Sequence, residues 1–499
     1  MKAAGTDTMK NEIKYEKSEL ELMTTYQLRE ICRREKIMNG VIHPLDKEEL
    51  IQTIMRYMGK RQDFLICDRK KGGEERVEEF LKNTRIVIKP SEELYCRSQI
   101  LAYEGLSIEY YDGYTIPYKK ELSGTNAFLM GSDMTLCAIL NLKEHGGRQE
   151  KLYLTKAAEL ETRETQRKDY RIFCMGRQNS ECMYHLYYGE QTILPEHIEV
   201  YSIPLIDFVV RKPVTLMLPM AIDFGSVNTT AGVYLDSAYF EHVGQQAAIK
   251  NCRENEINYT VFEDGAGESM LLPSVIGVLA VEEEDDKLLF GYDAIRLANA
   301  SYVDEGFCVF YDVKRWIGEY DKEEEIVDRQ GRRRLVKRAE ILRRFFLYII
   351  RKTENRFKCR ISQVHISSPV KQKHYFRRMF REILPEYMIN QEIMLDEGMA
   401  VLYNTISNML EQDTLEENEE YEALIIDCGG GTTDLCSYRF RIQDRRAAYK
   451  IYMETTYENG DTDFGGNNIT YRIMQILKIA LVRAKGNQNV SSVKEILEY

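Results

Sequence analysis

Two stretches roughly 200 residues apart, 219 PMAIDFGSVNTTAGVYL 235 and 423 ALIIDCGGGTTDLCSY 438, carry one pattern. An apolar run ends in an aspartate, Asp223 or Asp427. A glycine follows two residues later, then small hydroxyl or amide side chains, then a second apolar run. Each reads as a buried strand, a turn and a returning strand. Gly225 is expected to supply a positive φ for a tight turn before Ser226, Val227 and Asn228. Gly429, Gly430 and Gly431 leave backbone without side-chain cover ahead of Thr432 and Thr433.

Bare backbone of this kind can surround an oxyanion with amide N–H groups, because no Cβ keeps the anion at a distance. Two such turns suit a polyphosphate. The carboxylates of Asp223 and Asp427 are then placed to hold Mg²⁺, directly or through water, since that ion takes few carboxylates and several waters.

Composition sets the surroundings. A chain of 499 residues with 44% hydrophobic content is long enough for several cores. The net charge of -12 argues against wholesale coating of nucleic acid. No apolar run reaches about 18 residues, so no membrane-spanning helix is expected. The first residues lack the apolar centre of a secretion signal. The 11 cysteines are scattered without a CxxC pair, which fits a reducing cytoplasm better than a disulfide framework.

The N-terminal half reads differently. Residues 19–59 hold two short amphipathic helices, one around Leu28, Ile31 and Cys32, the other around Leu50, Ile51, Ile54 and Tyr57. Thr24 or Thr25 is placed to cap the first, and Asp46 with Glu49 has capping-box spacing for the second. With KEELI at 47–51 and an extended loop through Gly40 and Pro44, the segment resembles SAP and Rho-N-terminal-like modules. That resemblance implies nucleic-acid contacts through Arg29, Arg33, Arg34 and Lys36, while the residues alone read equally as a helical hairpin whose charges face solvent. Residues 60–83, with KKGGEERVEE, read as a charged linker or frayed helix. Residues 84–214 read as a β-rich domain built from runs such as LCAILNL, YRIFCM and MYHLYY. A faint echo between 128–142 and 173–188 reads either as a duplicated hairpin or as chance. His185, alone among aromatics, reads as a packing residue.

The two glycine turns resemble the phosphate loops of the actin, Hsp70 and sugar-kinase superfamily. Three further stretches are similar to Hsp70 within it: 309 VFYDVKRWIGEY 320, 366 ISSPVKQKHYFRRMF 380 and 458 ENGDTDFGGNNI 469. Between them 396 DEGMAVLYN 404 stands where that family has its N-E-P segment. The resemblance covers about 218–499 and implies an α/β fold: an actin-like ATPase core with a ribonuclease-H-like sheet. It implies ATP and Mg²⁺ as ligands, with slow hydrolysis as a conformational switch and a protein partner or client.

Several roles follow from the resemblance alone. Lys314 matches the catalytic lysine, Glu397 the glutamate that orders the attacking water, and Thr432 the hydroxyl facing the γ-phosphate. Arg315 matches a residue supporting a domain contact. Asp427 is catalytic as well as metal-associated. Gly465 and Gly466 match the glycines of the diphosphate-side turn. Val227 and Asn228 depart from the first-loop pattern, Gly398 replaces a proline, and 319–340 is shorter than the family's subdomain at that place. The adenine-binding elements of the family lie beyond the G-D-x-x-L-G-G segment, and only about 33 residues follow Gly466. The core is therefore expected to be incomplete at its C-terminal side, a piece of a longer protein. A non-hydrolysing nucleotide-binding scaffold, or an actin-like filament or kinase of the same superfamily, are the alternatives.

Overall fold

The computed structural model describes residues 15, 17–34, 46–58, 64–66, 69–96, 101–108, 115–144, 150–156, 169–205, 209–243, 251–263, 268–283, 285–299, 306–369, 372–389, 395–444, 448–461 and 464–484. Lys36, the loop through Gly40 and Pro44, Val370, Lys371, Thr462, Asp463 and residues 485–499 lie outside them. Two compact units emerge. One comprises Met1–Val214, Tyr239–Cys252 and Glu354–Arg360; the other comprises Thr215–Ala238, Arg253–Thr353 and Ile361–Tyr499.

The first unit begins with the paired helices Thr25–Arg34 and Lys47–Met58. Both start at capping boxes. Gln27 N–H donates to Thr24 Oγ1 at 3.2 Å while Thr24 N–H donates to the Gln27 side chain at 2.8 Å. Glu49 N–H donates to Asp46 Oδ1 at 2.8 Å, and Asp46 N–H to Glu49 Oε2 at 3.0 Å. These satisfy donors that a helix start leaves without partners. Leu28, Ile31, Cys32, Leu50, Ile51 and Ile54 form the core of the pair. Arg33 and Arg34 are exposed at the helix end. Arg33 pairs with Glu30, and Arg34 donates to the Tyr15 hydroxyl.

A seven-stranded sheet follows, in the order Arg85–Ile88, His197–Leu205, Tyr170–Met175, Thr125–Gly131, Leu136–Lys143, Lys151–Lys156 and Thr115–Pro117. The first pair is parallel and the others antiparallel. Both faces are apolar. Phe128, Met130, Ile139 and Phe173 pack with Val77, Leu81, Met183 and Tyr187, while Ala127, Leu129, Leu140 and Ile172 pack with Leu94, Ile108 and Leu122. Burial on both faces explains the nearly continuous apolar runs.

Three expectations need correction here. Residues 73–83 are not a linker but a helix, Gly73–Asn83, because Val77 and Leu81 stand one turn apart and are buried. MYHLYY is not a strand but part of the helix Arg177–Tyr188. Met183 and Tyr187 share one face at four-residue spacing, and Gly189 closes the end at φ 75°. The echo between 128–142 and 173–188 is therefore no duplicated hairpin, since one is strand–strand and the other strand–helix. His185 is bonded as well as packed. Its ring lies against Phe64 and Tyr184, and Nδ1 is 2.5 Å from Glu190.

Two segments from within 218–499 group with this first unit. The Tyr239 hydroxyl donates to the Phe357 carbonyl, and Lys358 Nζ donates to the Ser107 carbonyl at 3.3 Å.

The second unit is also mixed α/β. Its main sheet runs Glu256–Tyr259, Asn228–Leu235, Met220–Phe224, Gln363–Ile366, Met388–Ile389. The first three strands are antiparallel neighbours, and the last two run parallel to Met220–Phe224. Phe224 is fully buried at its strand end. It meets Phe346 edge to face at 5.0 Å, and Phe346 meets Phe380 at 4.7 Å. Residues 319–340 form the hairpin Glu323–Val327 with Arg333–Lys337. A separate antiparallel meander joins Glu420–Cys428, Thr433–Asp444 and Tyr449–Asp461. Leu402 and Ile406 of the helix Glu397–Glu411 pack on its Cys436, Tyr438, Phe440 and Ile442. The strand expected to be wholly buried at 423–426 is covered on one side only: Leu424 is 62% exposed and Ile426 66%.

Candidate functional site

The two glycine turns close in the same way. Gly225 N–H donates to the Asn228 carbonyl at 3.1 Å, and Gly429 N–H to the Thr432 carbonyl at 2.9 Å. Each closure sits two residues after an aspartate, so Asp223–Asn228 and Asp427–Thr432 match position for position. Asp223 stands on the face opposite the buried Met220, Ile222 and Phe224. Asp427 pairs across its hairpin with Asp434.

The need for glycine at 225 differs from the expected one. Its φ is not positive. A β-carbon there would instead lie 2.4 Å from the Asn228 carbonyl oxygen, the acceptor that closes the turn. The two turns also approach each other. A β-carbon on Gly430 would lie 2.3 Å from Val227 Cγ2, and one on Gly431 would lie 2.7 Å from Ser226 Oγ.

The carbonyls of both turns are bonded from behind. Ser274 N–H donates to the Val227 carbonyl at 2.8 Å, and its hydroxyl to the Gly225 carbonyl at 2.7 Å. Gly466 N–H donates to the Gly429 carbonyl at 2.9 Å, and Asn467 N–H to the Gly430 carbonyl at 2.8 Å. Gly465 and Gly466 therefore support the second turn as a backbone platform. Among the described residues, the amides of Ser226, Val227, Gly430 and Gly431 are bonded to no acceptor. Free amides in such turns can donate hydrogen bonds to an anion.

The β-branched Val227 closes over Gly430 with little freedom to turn aside, which makes the contact testable. Gly430→Ala is expected to cost about 1–3 kcal/mol of stability through overpacking. Val227→Ala in the same chain should restore most of it, and thermal denaturation of the single and double variants reads the difference.

The charged groups come from distant segments. Lys314 sits in the tight turn segment Val313–Glu319, buried, and its ammonium lies 2.8 Å from Glu397 Oε1. Glu397 is the first residue of its helix, after the capping carboxylate of Asp396, which accepts from Met399 N–H at 2.7 Å. Asp396 is wholly buried, paired with Lys373 at 2.8 Å and bonded by the Tyr438 hydroxyl at 3.1 Å. Gly398 fits there because a β-carbon would come 2.9 Å from Cys436 Sγ. Burial pushes the Glu397 carboxyl up to about 7, Lys314 works against that rise, and the negative charges of Asp223 and Asp427 add to it. Charges from three separate segments thus act on Glu397.

Other residues are placed less directly. The Thr433 hydroxyl donates backward to the Phe464 carbonyl at 3.0 Å. Arg315 pairs with Asp312 at 2.7 Å. Four residues were missed: Ser274 behind the first turn, Lys373, Asp396, and Ser367, whose hydroxyl donates to Asp223 Oδ1 at 2.8 Å. Only Asp396 had a local signal, as a capping residue ahead of an apolar helix.

No group of three or more His, Cys, Asp or Glu residues among the described residues is placed to hold a metal by itself. No helix of the described residues is long and apolar enough to cross a membrane. Compared with known proteins, the chain matches no family model and no curated protein.

Proposed function

We propose that the second unit binds Mg²⁺–ATP between its two glycine turns and hydrolyses it slowly, as an Hsp70-like ATPase with an actin-like, ribonuclease-H-like core. The observation that carries this reading is the pair of equivalent turns that approach each other, with amides bonded to no acceptor among the described residues, and a Lys314–Glu397 pair on which Asp223 and Asp427 act. The sheet order supports it: three antiparallel strands continued by two parallel ones, with Asp223 at the end of the central strand.

In this reading Asp223 and Asp427 would hold Mg²⁺, which would supply charge neutralisation of the phosphates. Ser226, Val227, Gly430 and Gly431 present amides to phosphate oxygens. Lys314 stabilises charge that grows on the transferred phosphoryl group. Glu397 takes a proton from the water that attacks the γ-phosphorus, and the bond to the β-phosphate oxygen breaks to leave ADP and phosphate. A carboxyl raised to about 7 is matched to that work near neutral pH. The first unit would carry partner recognition.

The rate of phosphate release should therefore rise as pH climbs through about 7 and level off above it, because only the ionised carboxylate accepts the proton. Glu397→Gln should lower the rate about a hundredfold or more and abolish that inflection. A wild-type rate independent of pH between 6 and 8 would contradict the assignment. The packing of Val227 on Gly430, where the resembled family carries a hydroxyl or aromatic residue, favours a second reading, a scaffold that binds nucleotide without hydrolysis. Nucleotide binding with no phosphate release would select it.

A further inference from the structure

Asp312, two residues before Lys314, has no role so far beyond its pairing with Arg315, and three observations meet on it. Its backbone is left-handed, at φ 53° and ψ 39°, and its side chain does not cap the turn segment that follows. Non-glycine residues in that conformation are uncommon, with aspartate and asparagine the most frequent among them. One carboxylate oxygen, Oδ2, lies 2.7 Å from Arg315 Nε. The other, Oδ1, is shielded from solvent and has no hydrogen-bond partner among the described residues. That free oxygen lies 3.5 Å from the point where a β-carbon on Gly431 would sit, and Ser226 Oγ lies 2.7 Å from the same point. An acceptor lacking a donor is thus aimed at the place where the two glycine turns meet. A buried acceptor in that state destabilises the fold until a donor arrives.

The chemistry of the donor is restricted. A phosphate oxygen would repel the carboxylate. A bare Mg²⁺ is already provided with Asp223 and Asp427 and retains waters. A water bound to that ion has a polarised O–H and satisfies the free oxygen while removing the repulsion. We propose that Asp312 is a third carboxylate of the site, a positioning residue whose Oδ1 accepts a hydrogen bond from a magnesium-bound water between the two turns. This rests on the nucleotide-binding reading above. Outer partners of this kind orient the ion's ligands, and their loss commonly weakens metal binding or activity tenfold to a hundredfold.

The test is calorimetric titration of ADP into the full chain, once with Mg²⁺ and once with EDTA. Asp312→Asn keeps the shape and tolerates the left-handed backbone. It is expected to reduce the Mg²⁺-dependent gain in ADP affinity about tenfold while leaving the EDTA affinity unchanged. Asp312→Gly frees the backbone and removes the carboxylate, and the same loss is expected. A glycine variant that retains the full wild-type gain would overturn the inference, since only the backbone conformation would then matter. So would a wild-type affinity that Mg²⁺ does not change. Wild-type chain that binds no ADP in either buffer would instead remove the nucleotide-binding reading itself.

Discussion

Lys314→Ala is expected to cut kcat for ATP hydrolysis by about ten- to a hundredfold, roughly 1.4–2.7 kcal/mol of barrier, with nucleotide affinity nearly unchanged. In the proposed reading binding survives, because the backbone amides of the two turns rather than this ammonium hold the phosphates. Two effects add in the rate. The charge that stabilises the transferring phosphoryl group is gone, and so is the cation that restrains the Glu397 carboxyl. Glu397 would then lose its ion-pair partner, so its proton affinity should rise further above about 7. The pH profile of the variant should accordingly shift to the alkaline side. Steady-state phosphate release from pH 6 to 9, with affinity measured separately, checks both parts. Equal rates in the variant and the wild type would remove Lys314 from the chemistry.

Gly225→Ala should act on the other half of the cycle. The added β-carbon would meet the Asn228 carbonyl oxygen at 2.4 Å, and that oxygen closes the first turn. Neither atom is the end of a flexible side chain, so the turn itself has to open. Opening it moves the Ser226 and Val227 amides and disturbs the Ser274 bonds behind them. Nucleotide affinity is expected to fall by at least about a hundredfold, or about 2.7 kcal/mol. The fold should persist, because the strand remains anchored by Phe224 among Phe345 and Phe346. Wild-type affinity in a folded variant would show that this turn does not hold the phosphates.

The sequence made the hairpins legible because their signal is local. An apolar run, an aspartate and glycines at fixed spacing leave few alternatives, and both hairpins form at 220–235 and 420–444. Gly225 shows the limit of that reasoning. The residue was right but the cause was a close approach to Asn228, which φ preference does not reveal. Aromatic content misled at 183–188, where strand propensity competed with a four-residue spacing and tertiary packing decided for helix. Leu424 and Ile426 read as buried from hydrophobicity alone, although alternation along a strand lets one face stay open.

The site was only partly legible for a similar reason. Lys314 and Glu397 meet across 83 positions, and no local pattern predicts that pair without the family resemblance. Ser274 and Ser367 reach their partners across 49 and 144 positions. A lone serine carries no sequence signal of such a contact. Asp312 is equally silent in sequence, since neither its left-handed backbone nor its free oxygen can be read from residue type.

The most direct test of the central claim is calorimetric titration of ATP into the 499-residue chain with Mg²⁺ present, alongside the Gly225→Ala variant. Saturable binding near one nucleotide per chain, lost in the variant, is the predicted result. A folded wild-type chain that takes up no ATP, or a variant that binds it equally well, would contradict the account.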